Sequence, residues 1–405
     1  MSLEDLKQAK KNWEEQLAYY ELEYSKTASA AQKFEYRKKI EECEKEIRRL
    51  KVKLKTFLDS TINSENLTWR FNFDHLIETH TYLFTGRDKE IQQLLDFIKN
   101  NQNGYIFIQA YSGYGKTSLL AKLVQDNQKF AYHFINQIYR SQSFDSTECE
   151  VVLSNLCEQI ELFQGKKINF GAQKSPRRCF HNLIRYAPIE EKLVLVIDAV
   201  DEIEKHPNYL KGLLPVNLPN NIFIIISSRK LGDRNYLSEI GLNINNIGLL
   251  IDLPGLDQVA ISQLLGQLGG KATLLAGSDI FIEQLYQVSD GDPFYIRFLV
   301  EDVAQGLITL DNIDSIPSNL HEYLDIQFSL LDKNAYLPQH RDIIGLILKA
   351  YQPLSRKDII SMVQGIDNLN FDNILRDIHR FLLVRDNQYS FCHNRFKEYF
   401  LSKVK

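Results

Sequence analysis

The chain has few of the sequence features that mark secreted, zinc-binding or membrane proteins. Its five cysteines are odd in number, scattered, and never form a C-x-x-C pair, which argues against a disulfide framework or zinc site and favours a reducing compartment. Charge begins at residue 4, so no signal-peptide core follows the start. The most apolar runs, LVLVIDAV and NIFIIISS, are too short to cross a bilayer. We therefore expect a cytoplasmic protein without a membrane partner.

An excess of one charge sign is also missing. The net charge of −4 gives no general reason to expect nucleic acid or an anionic membrane as a partner. Hydrophobic residues at 44% and charged residues at 25% are ordinary globular values, so most of the chain should bury cores. A length of 405 residues is typical of about two to four domains.

Glycine and proline are absent from residues 3–57, which are instead dense in Glu, Lys and Arg. Apolar residues in the second half, from Ile40 to Phe57, fall at alternating steps of three and four, and the first half repeats this more loosely. With SKTASAAQ as a break, the pattern predicts a helical hairpin or coiled coil over residues 1–58. Such an arm either stabilises the core or binds a partner. We favour an interaction module that engages an effector or adaptor protein.

The rest of the chain changes character three times. Residues 59–80 resemble a linker. Over residues 81–255, continuous apolar strands such as GYIFIQA and KLVLVID alternate with helical patterns, which predicts the α/β core of a P-loop NTPase, a parallel sheet with helices on both faces. Residues 256–330 are wholly helical. Residues 331–405 combine helices with a hairpin-like piece, FLLVRDNQYSFCH, which suggests a winged-helix domain.

The stretch AYSGYGKTS fits the phosphate-loop pattern G-x-x-x-x-G-K-S/T except at its first position, where Ala110 stands. Glycines let backbone N–H groups turn toward phosphate, and the following helix adds its dipole. The first glycine only eases a turn, so alanine costs little while its φ stays negative. Lys116 would bridge the β- and γ-phosphates, and the Thr117 hydroxyl would ligate Mg²⁺. The other loop residues expected to bind the nucleotide are Gly113, Tyr114, Gly115 and Ser118.

Two further strand ends carry polar residues that suit this chemistry. KLVLVIDAVDE leads into Asp198, which would hold Mg²⁺, and then to Asp201 and Glu202, where a carboxylate could orient or deprotonate the attacking water. The strand ending IIISSRK places Arg229 at the carboxyl edge of the sheet, where it could read the γ-phosphate. An acidic surface turn and an ordinary solvated arginine are the alternative interpretations.

Six motifs in this order resemble those of the signalling ATPases with numerous domains, the STAND proteins. That group includes the NACHT and NB-ARC switches of animal, plant and microbial immunity. The matching segments are LFTGRDKEI, AYSGYGKTS, LVIDAVDE, IIISSR, SDGDPFYI and FCHNRFKEYF. They lie within residues 80–405, and the acidic pattern D-A-V-D-E is closer to NACHT than to NB-ARC.

The resemblance implies roles for four more residues. Gly86 and Arg87 match the segment that borders the adenine and ribose, and Pro293 matches the proline that packs on the adenine. His393 matches the winged-helix histidine that reaches the ADP β-phosphate in the resting state. Its two neighbours depart from the Met-His-Asp form of plant and animal relatives. A histidine at the start of a core helix is the alternative interpretation of His393.

The resemblance also implies a function. We expect an ATP/ADP-binding signalling switch with slow hydrolysis and Mg²⁺ as cofactor, of a bacterial type that acts in defence or programmed cell death. ADP would hold the helical and winged-helix domains closed. ATP would release them and let the protein form a homo-oligomer. ATP is preferred over GTP because no N-K-x-D guanine reader follows the phosphate loop.

Two other functions compete with this one. A DNA-acting ATPase of the AAA+ origin-recognition type also joins a P-loop core to a winged helix. Its acidic pair is usually adjacent and its recognition helix basic, whereas RKDIISMVQG is only mildly basic, so nucleic acid is not the expected partner. A nucleotide-binding scaffold without hydrolysis is the second alternative. Intact Lys116, Thr117, Asp198 and Asp201 argue against it.

Overall fold

The computed structural model of this protein divides the chain into two compact units, Met1–Thr68 and Trp69–Lys405. The described residues of the first unit are 12, 13, 16, 17, 19, 20, 32, 36, 39, 40, 43 and 46. Those of the second unit are 73–136, 146–164, 175–186, 191–203, 214–230, 236–331, 336–350, 352–385 and 387–403. Most of the predicted hairpin, and the predicted linker up to residue 72, lie outside the described residues.

The described residues of the first unit are all helical. They lie on both sides of the predicted break, and Gln32, the last residue of the break, is helical as well. The ring centroids of Tyr20 and Tyr36 are 6.3 Å apart, and Nζ of Lys39 lies 5.2 Å from the centroid of the Tyr20 ring. Cys43, from the predicted seam, is buried. The two helical stretches therefore contact each other near the break. The full hairpin over residues 1–58 stays a prediction.

The second unit opens with alternating helices and strands, as the apolar runs predict. In chain order these are α1 (Asp74–Thr81), α2 (Asp88–Asn100), β1 (Gly104–Ala110), α3 (Lys116–Asp126), β2 (Ala131–Phe134), α4 (Cys149–Gln164), α5 (Pro176–Tyr186), β3 (Leu193–Asp198), β4 (Ile222–Arg229), α6 (Tyr236–Glu239) and β5 (Ile247–Asp252). A short 3-10 turn, Val200–Glu202, follows β3.

The five strands form one parallel sheet in the order β2-β3-β4-β1-β5. Successive side chains of each central strand point to opposite faces, and both faces are covered. Ile106 packs in a core with residues of α1, α2 and α3, while its neighbour Phe107 packs in a second core with residues of α4 and α5. Burial on both faces explains the unbroken apolar runs. The prediction of a parallel α/β core is confirmed.

The strand register brings the predicted polar residues to one edge of the sheet. Ala110, the last residue of β1, lies opposite Arg229, the last residue of β4. Asp198, the last residue of β3, lies opposite Phe134 of β2. Parallel strands all end on the same side, so the loops after β1, β3 and β4 meet there.

One part of the predicted linker is structured. Residues 74–81 form α1, which packs on α3, and Phe73 and Leu76 are each only 1% exposed. The interpretation of residues 59–80 as a linker is therefore wrong for its described end. The sequence DHLIETHT gives too few turns for a clear helical period, and its two apolar residues look unremarkable between polar ones.

The remaining described part is mainly helical. Its elements are α7 (Gln258–Leu268), α8 (Gly270–Leu275), α9 (Asp279–Ser289), α10 (Pro293–Gln305), α11 (Leu320–Leu331), α12 (Leu337–Lys349), β6 (Leu354–Ser355), α13 (Arg356–Met362), α14 (Phe371–Arg376), β7 (Leu382–Arg385), β8 (Gln388–Phe391) and α15 (Asn394–Lys403). Several of these helices have an N-cap residue whose side chain accepts a hydrogen bond from a backbone N–H of the first turn. These N-cap residues are Asp257, Ser278, Asp292 and Ser355.

The strands of this part form an antiparallel sheet in the order β6-β8-β7, with β7 and β8 paired as the predicted hairpin. One continuous apolar core runs from Leu256 to Phe400, across the boundary predicted at residues 330 and 331. The helical and C-terminal parts thus share a core. Within the described ranges, none of the helices is long and apolar enough to cross a membrane.

The packing of α1 predicts the effect of truncating its buried side chain. Leu76→Ala should lower the free energy of unfolding by about 2–5 kcal/mol, because it leaves a cavity between α1 and α3. Urea unfolding followed by circular dichroism measures this loss. The control Glu78→Ala changes an exposed residue of the same helix and should stay within about 0.5 kcal/mol of the wild type. Equal effects of the two substitutions would contradict the packing of α1.

Candidate functional site

The loop between β1 and α3 has the backbone that phosphate binding requires. Gly113 and Gly115 have φ values of +82° and +86°, a left-handed region that residues with a Cβ adopt rarely. Ala110 is the last residue of β1 and is not among the described residues with positive φ. An alanine therefore fits the first position of the loop without strain.

Lys116, the first residue of α3, is folded back onto this loop. Its Nζ donates to the carbonyl oxygens of Ala110 at 3.0 Å and Tyr111 at 3.1 Å, and the residue is only 8% exposed. Burial lowers the pKa of Lys116, although the carboxylates of Asp198 and Asp201 act in the opposite direction. A buried ammonium group that bonds to neutral carbonyls gains strongly when an anion such as phosphate reaches it.

Asp198 is the centre of a second group of polar side chains. Its Oδ2 accepts a hydrogen bond from Thr117 Oγ1 at 2.7 Å, and its Oδ1 accepts one from Ser227 Oγ. The Ser227 hydroxyl also accepts the backbone N–H of Ala199 at 2.8 Å, where the chain takes a left-handed turn. Asp198 is 2% exposed, and burial raises its pKa against the opposing hydrogen bonds.

The Thr117 and Asp198 oxygens fit the ligand chemistry of Mg²⁺. This ion takes hard oxygen ligands and keeps several waters or phosphate oxygens, so one or two protein groups suffice. A pre-formed protein cage is not what such a site needs. In the part of the chain that the structure describes, no group of three or more His, Cys, Asp or Glu side chains is arranged as a cage.

Asp201 and Arg229 form a buried ion pair across the sheet edge. Asp201 Oδ1 accepts the backbone N–H of Arg229 at 3.0 Å, and Oδ2 accepts its Nε–H. The side chain of Asp201 has no exposed surface, whereas that of Arg229 is 23% exposed. Glu202, the next residue, lines the cavity and accepts a hydrogen bond from Asn394 at 3.2 Å. Both predicted acids line the cavity, but both oxygens of Asp201 are already bonded to Arg229.

The first turn of α15 forms the opposite wall. The ring of His393 lies 4.4 Å from the ring of Phe294, centroid to centroid, and its Nδ1 accepts the backbone N–H of Arg395 at 3.1 Å. Burial, reinforced by nearby cations of which Arg395 is the strongest, lowers the pKa of His393 to about 3. The imidazole is therefore neutral at physiological pH.

Gly86 and Arg87 connect the phosphate loop with α7 and the chain that leads into it. Arg87 is 4% exposed, and its Nη2 donates to the carbonyl oxygens of Tyr114 at 3.1 Å and Pro254 at 2.8 Å. It thereby joins the phosphate loop to the chain that leads into α7. Gly86 has a φ of +69° and packs directly against Ala260 of α7.

A cavity of about 250 Å³ connects these groups. The predicted site residues that line it are Arg87, Gly113, Gly115, Lys116, Thr117, Ser118, Asp201, Glu202, Arg229, Pro293 and His393. Gly86, Tyr114 and Asp198 are not among the lining residues, and Asp198 is linked to the cavity wall through Thr117. The structure therefore brings most of the predicted site residues into one place, from strands and helices far apart in sequence.

One family of known proteins matches part of this chain, within the α/β core. The family described as "Nephrocystin 3, N-terminal" matches residues 87–229, from the residue before α2 to the end of β4. No curated protein matches the chain.

Solved structures with similar folds have low sequence identity. Cdc6p from Pyrobaculum aerophilum is 13% identical, with a TM-score of 0.35, over 85% of this chain and 97% of that one. Drosophila ORC bound to DNA is 11% identical, with a TM-score of 0.37, over 87% and 99%. A RuvB variant from Thermotoga maritima is 12% identical, with a TM-score of 0.33, over 78% and 98%. Similarity of this degree carries no conclusion about function.

Several residues of the site escaped the sequence analysis. Ser227 stands in the motif IIISSR, but nothing in the motif distinguishes it from the following serine. His80 lay in the presumed linker, and its Nδ1 is 3.0 Å from Ser118 Oγ. Phe294 and Arg395 each follow a predicted site residue within two positions, and both touch the phosphate loop at Gly113. A position next to a known motif is only a weak indication, in the sequence, that a residue belongs to the site.

Gly86 provides a test of this packing. An alanine there would place its Cβ 2.4 Å from the Cβ of Ala260 and would keep a positive φ. Gly86→Ala should therefore lower the free energy of unfolding by about 1–3 kcal/mol from backbone strain, with a further loss from displacing α7. Urea unfolding measures the change.

The matched control is Gly266→Ala, an exposed position inside α7 with open space around it. It should raise the stability by about 0.5–1 kcal/mol, because alanine is the better helix former. If Gly86→Ala proves as harmless as the control, the close approach of α7 to Gly86 is wrong.

Proposed function

We propose that this chain is a nucleotide-operated signalling switch that binds ATP and ADP and hydrolyses ATP slowly. One observation carries the proposal. Lys116 and Thr117 at the phosphate loop, Arg229 from β4, and His393, the residue before α15, line the same cavity. A nucleotide bound there would touch both the α/β core and the C-terminal part, so its state could control their contact.

The residues have distinct roles in this proposal. Lys116 holds the β- and γ-phosphates. Thr117 and Asp198 would hold Mg²⁺, which would supply positive charge to neutralise the phosphates. Gly113, Gly115 and Ser118 bind phosphate from the loop. Glu202, or Asp201 beside it, orients the attacking water.

Arg229 would respond to the γ-phosphate. Its guanidinium is bound to Asp201 and lies 3.9 Å from Glu398 of α15. A γ-phosphate offers a stronger competing partner for the arginine than an exposed carboxylate does. Binding of ATP would thus weaken a contact of α15 that ADP leaves in place.

The wider function follows from this closed arrangement. We interpret residues 256–330 as the helical domain and residues 331–405 as a winged-helix domain, with the sheet of β6, β7 and β8 as its wing. ADP keeps both closed over the core. ATP releases them, the protein forms a homo-oligomer, and residues 1–58 engage an effector or adaptor. This is the STAND mechanism of the NACHT type, working in the cytoplasm.

A DNA-acting ATPase of the AAA+ type is the second candidate. Among the compared structures, Drosophila ORC is described as bound to DNA. The expectation that nucleic acid is not a partner therefore has no support from the comparisons. Binding to duplex DNA that weakens steeply with salt would favour this candidate.

The deciding experiment identifies the nucleotide released from the purified full chain and then measures the particle mass in solution with ADP and with ATP plus Mg²⁺. We expect co-purified ADP, one subunit mass with ADP, and a multiple of that mass with ATP. An empty site together with one mass in both nucleotides would contradict the switch.

Lys116→Ala tests the nucleotide site itself. Loss of the ammonium should weaken ATP binding by at least about 10- to 100-fold, because charge-assisted bonds to phosphate disappear. Titration calorimetry gives the affinity. Lys122→Ala removes another lysine of α3, which pairs with Asp126 on the surface, and should leave the affinity unchanged. Equal affinities for the two variants would place the phosphates elsewhere.

Asp201→Asn and Glu202→Gln separate the two acids. The residue that activates water should lose about 10²- to 10⁴-fold in kcat when its charge is removed, with ATP affinity intact. We expect the larger loss for Glu202→Gln, since both oxygens of Asp201 already hold Arg229. Phosphate release under single-turnover conditions measures the rate. If Asp201→Asn abolishes binding instead, Asp201 has a structural role.

A further inference from the structure

Arg395 lies at the meeting point of three elements. It belongs to the first turn of α15, and its Nη1 donates to both carboxylate oxygens of Asp292 at 2.8 and 2.6 Å. Asp292 is the residue that caps α10. The two side chains are 23% and 15% exposed. A partly buried pair of this geometry is stronger than an ordinary surface ion pair.

The third element is the phosphate loop. A Cβ added to Gly113 would lie 3.1 Å from Cδ and from Nη1 of Arg395, and 3.1 Å from the Cβ of Phe294. The guanidinium carbon of Arg395 is 5.4 Å from the centroid of the Phe294 ring. Arg395 therefore lies directly on the middle glycine of the loop, held there by Asp292 on one side and by the aromatic ring on the other.

This position places a second cation next to the one that Lys116 provides. Lys116 approaches the loop from within α3, whereas Arg395 approaches from outside, on the C-terminal wall. Arg395 does not itself line the cavity, so it would act on a bound nucleotide by holding α15 against the loop that binds the phosphates.

We propose that Arg395 is a positioning residue that clamps α15 over the phosphate loop and thereby sets how long ADP stays bound. This role rests on the proposed nucleotide function and adds the contact that would hold the closed state together. Asp292 anchors the clamp, and opening of the Arg395–Asp292 pair is the step that lets the nucleotide exchange.

Arg395 can be removed without undoing its anchor. Asp292 Oδ1 accepts the backbone N–H groups of Phe294 at 3.0 Å and Tyr295 at 3.4 Å, so its carboxylate keeps the helix cap when the arginine is absent. A change at Asp292 would disturb the cap as well as the clamp. The test therefore uses Arg395→Gln, with Arg395→Lys as the conservative variant that keeps the charge but not the fork geometry.

The experiment loads the full chain with a fluorescent ADP derivative, chases it with excess ADP, and follows dissociation by stopped flow. Arg395→Gln should release the nucleotide about tenfold faster or more, as loss of about 1.4 kcal/mol or more from a charge-assisted pair implies. Arg395→Lys should fall between the variant and the wild type. The association rate should not decrease, because the loop itself is intact.

The control is Arg356→Gln. Arg356 also pairs with a carboxylate, that of Asp372 in the C-terminal part, with Nη1 at 2.8 Å and Nη2 at 3.3 Å from the two oxygens. Its other side-chain contacts, including the carbonyl of Asn368 and the ring of Phe371, belong to the C-terminal part and not to the phosphate loop. The fluorescent ADP derivative should dissociate from Arg356→Gln at the wild-type rate.

Four outcomes would overturn the clamp. Dissociation from Arg395→Gln within twofold of the wild type excludes it, and so does an equal acceleration in Arg356→Gln, which would indicate general loosening. Weaker binding through slower association would mean a damaged loop. A wild-type chain that binds no ADP overturns the proposed function and the clamp together, whereas the other results leave nucleotide binding standing.

Discussion

Burial of the parallel sheet on both faces is the constraint on which the rest of this structure depends. Strands covered by helices on each side have little room for charged side chains along their length, so in this sheet these lie where the strands end. Asp198 ends β3, Arg229 ends β4, and the phosphate loop begins where β1 stops. Parallel direction places all three ends on one edge. The concentration of polar groups there is thus a consequence of the core.

The charged side chains at this edge are stabilised by ion pairs and by hydrogen bonds to backbone oxygens. Arg87 and Lys116 are both buried and donate to carbonyl groups, while Arg229 and Arg395 hold carboxylates. The three arginines each join segments that are far apart in sequence, whereas Lys116 bonds to the loop directly before it. Removing one would leave polar groups without partners in a partly dry cavity, which is why such networks specify one closed arrangement.

The C-terminal part owes its position to aromatic packing. Phe294 of α10 lies against His393 and Phe396 of α15, and Phe298 packs on the same phenylalanine. Phe396 is fully buried in the core that runs from α7 to α15. The start of α15 therefore faces the loop because its apolar residues one turn later are anchored on α10. The polar contacts that α15 makes with Glu202 and Gly113 depend on this apolar packing.

The sequence by itself determined β1 to β4, their parallel arrangement and the position of the phosphate loop, because apolar runs and short motifs are local signals. It also allowed Ala110, whose extended backbone needs no glycine. It could not find α1, which is too short to show a period. Nor could it reveal that Arg229 holds both oxygens of Asp201, that Asn394 reaches Glu202 across 192 residues, or that Arg395 reaches Asp292 across 103. Only the tertiary structure decided these pairs, since they depend on how separately folded elements pack, and no local pattern encodes such distances.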